Sequence, residues 1–163
     1  MFDVDELSNE GHVTAVLSSV PSDGREMFLR EAAADGHVPA MHELALTCAD
    51  PSERKHWLRE AAHEGYVPAM FDYAGHCERL SQRRRWLRQA ALEGHVQAMY
   101  ALATMTDDPT ERERWLRMAA EEGHVPAMYE WGLACSEPRE AERWLREAAR
   151  NGCEAAAAEL ADA

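Results

Sequence analysis

The chain has 163 residues, 46% hydrophobic and 29% charged, with a formal net charge of −13. That length suits one domain with a real core and is too short for two. The acidic balance argues against a nucleic-acid partner and against docking on an anionic membrane, since both need a basic surface.

The segment from Met1 to Glu10 is acidic and lacks the basic and apolar blocks of a signal peptide. No apolar run approaches the roughly eighteen residues that cross a bilayer. The expectation is a cytoplasmic protein, in which the four cysteines read as buried thiols rather than a disulfide framework. Val4 and Leu7 are the only inward candidates of a degenerate N-terminal cap. Gly11-His12-Val13 then opens a shortened repeat, completed by Phe28-Leu29-Arg30.

From there the chain repeats. Gly36, Gly65, Gly94, Gly123 and Gly152 follow one another at 29-residue intervals. Gly-His-Val-Pro-Ala-Met stands at Gly36 and Gly123, with Tyr66 and Gln97 as the variations in the two copies between. A second block recurs in step: Trp57-Leu58-Arg59, Trp86-Leu87-Arg88, Trp115-Leu116-Arg117 and Trp144-Leu145-Arg146, each followed by an alanine pair. The predicted organisation is a single repeat domain over 1–163. Within it, 1–35 is the cap and short first repeat, 36–64, 65–93, 94–122 and 123–151 are full repeats, and 152–163 is a capping helix.

Each full unit predicts two helices. Helix A starts near Pro39, Pro68 or Pro126, where a fixed φ and a missing N–H suit the first helical position. Val38, Val67 and Val125, each preceding a proline, are then expected outside the helix. Ala40, Met41, Leu44, Ala45 and Cys48 form its apolar stripe. Asp50-Pro51 and Asp108-Pro109 supply an N-cap and first-turn proline for helix B, a capping role that Ser81 can take in its unit. Helix B carries its Trp, Leu and alanine pair on one face, and the next glycine closes it in a left-handed conformation. Short turns of this kind force antiparallel neighbours. One unit cannot bury its Trp and Met alone, so the fold class is all-α, a right-handed solenoid of stacked antiparallel helix-turn-helix repeats.

At Ala61-Ala62-His63-Glu64-Gly65 and at Gly94-His95-Val96-Gln97-Ala98-Met99-Tyr100-Ala101-Leu102-Ala103, the chain resembles the Sel-1-like repeat, a relative of the tetratricopeptide repeat. The resemblance spans about residues 11–163. The family's Gly-x-Gly-Val turn between helix A and helix B is missing, and the unit is correspondingly shorter. What the resemblance implies is helical pairing and an adaptor that holds partner proteins together. Exported relatives with a disulfide in each repeat carry two cysteines per unit, where this chain has one.

The candidate partner-binding residues lie on helix A. His42, Phe71, Tyr100 and Tyr129 share one column. Glu43, Asp72 and Glu130 share the next, and Leu46, Gly75, Thr104 and Leu133 lie one turn on. An aromatic row on such a face can grip a peptide, and the acids would favour a basic partner. The same columns suit core packing, a solvated stripe or self-association. His12, His37, His95 and His124 share a column beside the capping glycines, but successive repeats lie about 10 Å apart, too far for one metal ion. A side chain bonded to nearby backbone is the reading for that column. Cys48, Cys77 and Cys135 are likewise separated by whole units and read as small buried residues, with Cys153 in another column. Arg83, Arg84, Arg85 and Arg88 read as a solvated helix with intrahelical Glu–Arg pairs, or as a site for an acidic partner or phosphate.

No phosphate loop, nucleophile elbow or zinc motif is present, so neither catalysis nor a cofactor is expected. The functional expectation is a module that binds a partner protein or peptide on the helix A (concave) face, as adaptor or assembly factor. Two alternatives stand beside it: a dedicated inhibitor or immunity-type protein, and an enzyme or metal-dependent protein in which His42, Glu43, Asp72 and His76 converge.

Overall fold

The computed structural model of the chain describes residues 22–161, which places the cap residues Val4 and Leu7 and the Gly11-His12-Val13 repeat opening outside the described residues. The described residues form ten α-helices and no strand. They fall into two compact units, divided between Arg79 and Leu80. The first holds α1 (Ser22–Ala34), α2 (Val38–Thr47), α3 (Pro51–His63) and α4 (Val67–Gly75). The second holds α5 (Leu80–Leu92), α6 (Val96–Met105), α7 (Pro109–Glu121), α8 (Val125–Ala134), α9 (Pro138–Arg150) and α10 (Glu154–Ala161). Within each unit every helix packs on the next.

Each helix B ends the same way. At the end of α1 the Gly36 N–H donates to the Ala33 carbonyl and the His37 N–H to the Ala32 carbonyl. This is a Schellman closure, which requires a left-handed residue at the glycine. Gly36 has a φ of 90° and Gly123 one of 91°. The carbonyls that receive these bonds belong to the alanine pair, and the pattern recurs at Ala61-Ala62, Ala90-Ala91, Ala119-Ala120 and Ala148-Ala149. The alanines thus terminate the helix with their backbone while their methyl groups let neighbouring helices close in. Ala61, Ala90 and Ala119 are wholly buried.

Helix A then begins one residue earlier than the prolines suggest. The His37 carbonyl accepts from the Met41 N–H, so Val38 is the first residue of α2 and Pro39 the second; Val67 and Val125 stand likewise inside their helices. The cap residue in the extended conformation is the histidine or tyrosine before the valine. Helix B starts as expected at its Asp-Pro steps: Asp50 accepts from the Ser52 N–H at 3.0 Å and Asp108 from the Thr110 N–H at 2.9 Å. Ser81 does not cap, because α5 already begins at Leu80 and takes Ser81 into its first turn.

Leu29, Leu44, Leu58 and Leu116 are almost completely buried, and so are Met70, Met99 and Met128. Each fully buried side chain of this size contributes about 1.5–3 kcal/mol. Trp86, Trp115 and Trp144 are buried, whereas Trp57 is half-buried. The indole N–H finds a carboxylate one turn back: Trp57 donates to Glu53, Trp115 to Glu111 and Trp144 to Glu140, at 3.4–3.5 Å. Gly132 stands in the column of Ala45, Ala74 and Ala103 because the backbones close further there. A Cβ on it would lie 3.0 Å from the Leu145 side chain.

Candidate functional site

The histidine column caps helices. His37 Nδ1 accepts from the Ala40 N–H at 3.1 Å, His95 Nδ1 from Ala98 at 3.2 Å and His124 Nδ1 from Ala127 at 3.3 Å. Tyr66 occupies the same position without a side-chain cap bond. An accepting Nδ1 must be unprotonated, and a cation at a helix N-terminus would also oppose the helix dipole. Burial pushes the His124 pKa below its ordinary value, with Glu130 acting weakly the other way. A histidine held below its unfolded value contributes stability that is complete above about pH 6.5. That contribution is lost as the pH falls from there through the folded-state pKa. We therefore expect the second unit to lose stability on acidification from pH 7.5 to 5.5, and His124→Asn, which can cap without titrating, to flatten that loss. Urea midpoints across this range measure it, and a slope unchanged in His124→Asn would contradict the assignment.

The aromatic and acidic columns of helix A meet across successive repeats. His42 Nε2 donates to Asp72 Oδ2 at 2.8 Å, and the Tyr100 hydroxyl donates to Glu130 Oε1 at 2.5 Å. Each ring also packs on the cap residue of the following helix A, His42 on Tyr66 at 5.3 Å and Tyr100 on His124 at 4.5 Å between centroids. The bond to Glu130, followed by burial, pushes the Tyr100 pKa up to about 12. His42 is buried; Phe71, Asp72, Tyr100, Tyr129 and Glu130 are half-buried. The same clasp made once as His–Asp and once as Tyr–Glu serves repeat-to-repeat attachment, since a reaction would not tolerate that exchange of chemistry. Asp72 and Glu130 are thereby engaged in fastening the repeats, though both stay partly exposed. Glu43, half-buried like the other two acids, stands one turn before Leu46 on α2.

The third column is the outward one. Leu46 is 53% exposed in the first unit and Leu133 is 52% exposed in the second. Thr104 is also exposed, its hydroxyl turned back to the Ala101 carbonyl at 2.9 Å, which leaves its methyl as the surface group. In the second unit Tyr129 and Glu130 stand one helical turn before Leu133, and Tyr100 one turn before Thr104. Each unit thus presents an apolar spot flanked by an aromatic or a carboxylate.

The arginines of helix B bind neighbouring helices rather than only their own. Arg30 donates to Glu53 and Arg88 to Glu111, each 23 residues on. Arg84 donates to the Met105 carbonyl at 2.7 Å. Arg54 and Arg112 close the ends of α2 and α6 by donating to the Cys48 and Thr106 carbonyls at 2.6 and 3.1 Å. The Arg30 guanidinium holds the Glu53 carboxyl below its usual range; for Glu111 the Thr106 hydroxyl is the leading cause. Cys48, Cys77, Cys135 and Cys153 are not joined in disulfides, the first two being buried and the others half-buried. Among the described residues no set of three His, Cys, Asp or Glu side chains is gathered closely enough to hold a metal ion. His42 and Asp72 are the one pair of the His42, Glu43, Asp72 and His76 group that we find hydrogen-bonded.

The clasp escaped sequence reading because its partners are 30 residues apart, one more than the repeat. The signal was an acidic column directly following an aromatic one, which is also what a solvated stripe looks like.

No family model matches the chain, and neither does any curated protein. Solved structures do. A Sel1 repeat protein from Oxalobacter formigenes superposes with a TM-score of 0.71 at 21% identity, over 81% of this chain and 64% of its own. A protective antigen present in uropathogenic Escherichia coli strains, displaying an SLR fold, gives 0.74 at 21% identity over 85% of this chain. This chain spans only 36% of that antigen. An immunity protein from Pseudomonas aeruginosa gives 0.59 at 17% identity over 96% of this chain and 72% of its own. The fold is therefore that of the Sel1-like repeat, built of paired helices. Among the described residues no helix is long and apolar enough to cross a membrane.

Proposed function

We infer that the chain is a protein-interaction module that holds a partner protein or peptide on its helix A face, as an adaptor or assembly factor of the cytoplasm. The observation that carries this reading is the exposure of Leu46 and Leu133 at equivalent positions of helix A, each more than half open to solvent. Leucine at the same exposed position of helix A in each unit, flanked by polar groups, is the kind of apolar spot a partner can cover. Half-buried Glu43 and the net charge of −13 suit a basic partner. The fold supports the reading as a scaffold.

A second reading is a dedicated inhibitor of immunity type, supported by the likeness to the Pseudomonas aeruginosa immunity protein over 96% of this chain. An adaptor engages two partners at once, whereas an immunity-type protein silences one.

Immobilised chain should recover a defined partner from its native host. The double substitution Leu46→Glu and Leu133→Glu should abolish recovery with helicity unchanged. Charge reversal at Asp72 or Glu130 is a poor test, because it also breaks the clasp. Undiminished recovery by the double variant would place the partner elsewhere.

A further inference from the structure

One helix B departs from the others, and it does so on its surface. α1, α3, α7 and α9 all carry carboxylates among their arginines, whereas α5 holds Arg83, Arg84, Arg85 and Arg88 and no acid. Elsewhere the arginine that closes the Trp-Leu-Arg block, or Phe-Leu-Arg in α1, pairs within its own helix. Arg30 takes Glu26, Arg59 takes Glu60, Arg117 takes Glu121 and Arg146 takes Glu142. In α5 the positions equivalent to those carboxylates hold Arg84, Gln89 and Leu92. Arg88 reaches instead to Glu111 of α7, a carboxylate that the Thr106 hydroxyl and the Trp115 indole also engage. Arg84 donates to a neutral acceptor, the Met105 carbonyl, and among the described residues Arg85 has no hydrogen-bond or ionic partner. Ser81, Arg85, Arg88 and Leu92 follow one another at four- and three-residue steps and are all exposed, which makes them one outward stripe. Leu92 is 66% exposed, at a position where the other helices B have Ala34, His63, Glu121 and Arg150. Arg84 and Arg88, four residues apart, repel each other, and exposed leucine lowers solubility, so neither helix stability nor solubility accounts for these changes.

We propose that the outer face of α5 docks an acidic segment of a partner protein, with its carboxylates on Arg85 and Arg88 and an apolar side chain on Leu92. The arginines supply the charge complementarity and can grip a carboxylate through two N–H groups at once. Leu92 lies about 10 Å along the helix from Arg85, and that distance sets the spacing between the occupant's carboxylates and its apolar group. A short acidic segment touches only this patch. A nucleic acid or an anionic membrane would extend beyond it and meet a chain of net charge −13, including Glu93 directly after Leu92. The surface lies on helix B and does not depend on the Leu46 and Leu133 column.

The probe is a labelled peptide of alternating glutamate and alanine that ends in leucine, titrated with the full chain and followed by fluorescence anisotropy. Binding should be saturable. Arg85→Glu should weaken it at least about fivefold, because like charges then face each other, and Leu92→Ser about threefold. Both residues are exposed, so helicity should not change in either variant. Arg143→Glu makes the same charge change in the same column of α9 and should leave the affinity within about a factor of two, screened by salt. The Leu46→Glu, Leu133→Glu chain should bind the peptide normally, so the two surfaces fail or succeed separately. Absence of saturable binding up to millimolar peptide, or equal losses in Arg85→Glu and Arg143→Glu, would overturn the proposal. So would a short DNA duplex or phosphatidylserine vesicles that bind more tightly than the peptide and depend on Arg85, since the occupant would then be another kind of anion.

Discussion

Trp115→Ala should cost the second unit about 3–5 kcal/mol, the largest effect of any single truncation considered. Trp115 is 4% exposed, so its removal leaves a void in the packing around α7. It also strips the Glu111 carboxylate of the indole N–H, leaving that group to Thr106 and Arg88. In a repeat protein, stability is roughly a sum of unit and neighbour terms, so a loss at one interface is felt by the helices on both sides. Trp57→Ala should cost distinctly less, because Trp57 is half-buried and leaves less of a void. Urea denaturation of both variants measures the difference, and equal losses would show that burial does not govern this column.

Gly123→Ala should be the second large effect, at about 1–2 kcal/mol. Nothing lies within 4 Å of where its Cβ would be, so the penalty comes entirely from the backbone at a φ of 91°. The closure at Gly123 also hands the chain directly to the His124 cap, so strain there disturbs the end of α7 and the start of α8 together. Gly75→Ala is the contrast. Gly75 is helical and equally unhindered, and alanine is the better helix former, so that change should be neutral or stabilising. Midpoints that fell equally for both would remove the left-handed conformation from the account.

These glycines show how far a single sequence can be read. The left-handed closures at Gly36, Gly65, Gly94, Gly123 and Gly152, the Asp50 and Asp108 caps and the buried Trp-Leu-Ala-Ala face follow from local chemistry, and local chemistry repeats every 29 residues. Helix A begins one residue before the position the proline rule predicts, because the histidine before the valine sets the cap itself. Ser81 was misread for a related reason: a residue able to cap does so only where the helix starts, and Leu80 starts it.

The candidate site was less legible. Its aromatic and acidic columns were found, but a column states only that positions are equivalent, not which of them touch. His42 to Asp72 and Tyr100 to Glu130 are contacts between different columns of successive repeats, and they make two of the three acids in that row, Asp72 and Glu130, part of the fastening. The arginine cluster on α5 shows the same thing in reverse. The sequence offers Arg84 and Arg88 either as part of a solvated helix with intrahelical partners or as a cationic site, yet they tie α5 to α6 and α7. Of the helix A columns, the outward positions are Leu46 in the first unit and Thr104 and Leu133 in the second, while Leu80 and Leu92 on helix B are more exposed still.

Isothermal titration of the purified partner into the chain tests that column most directly. Two variants should be compared: Leu46→Glu with Leu133→Glu on helix A, and Arg85→Glu with Arg114→Glu on the exposed side of helix B. A partner held on helix A should lose its measurable heat with the first variant and keep its affinity with the second. Full affinity in the helix A variant, with loss in the helix B variant, would contradict the assignment of the binding face.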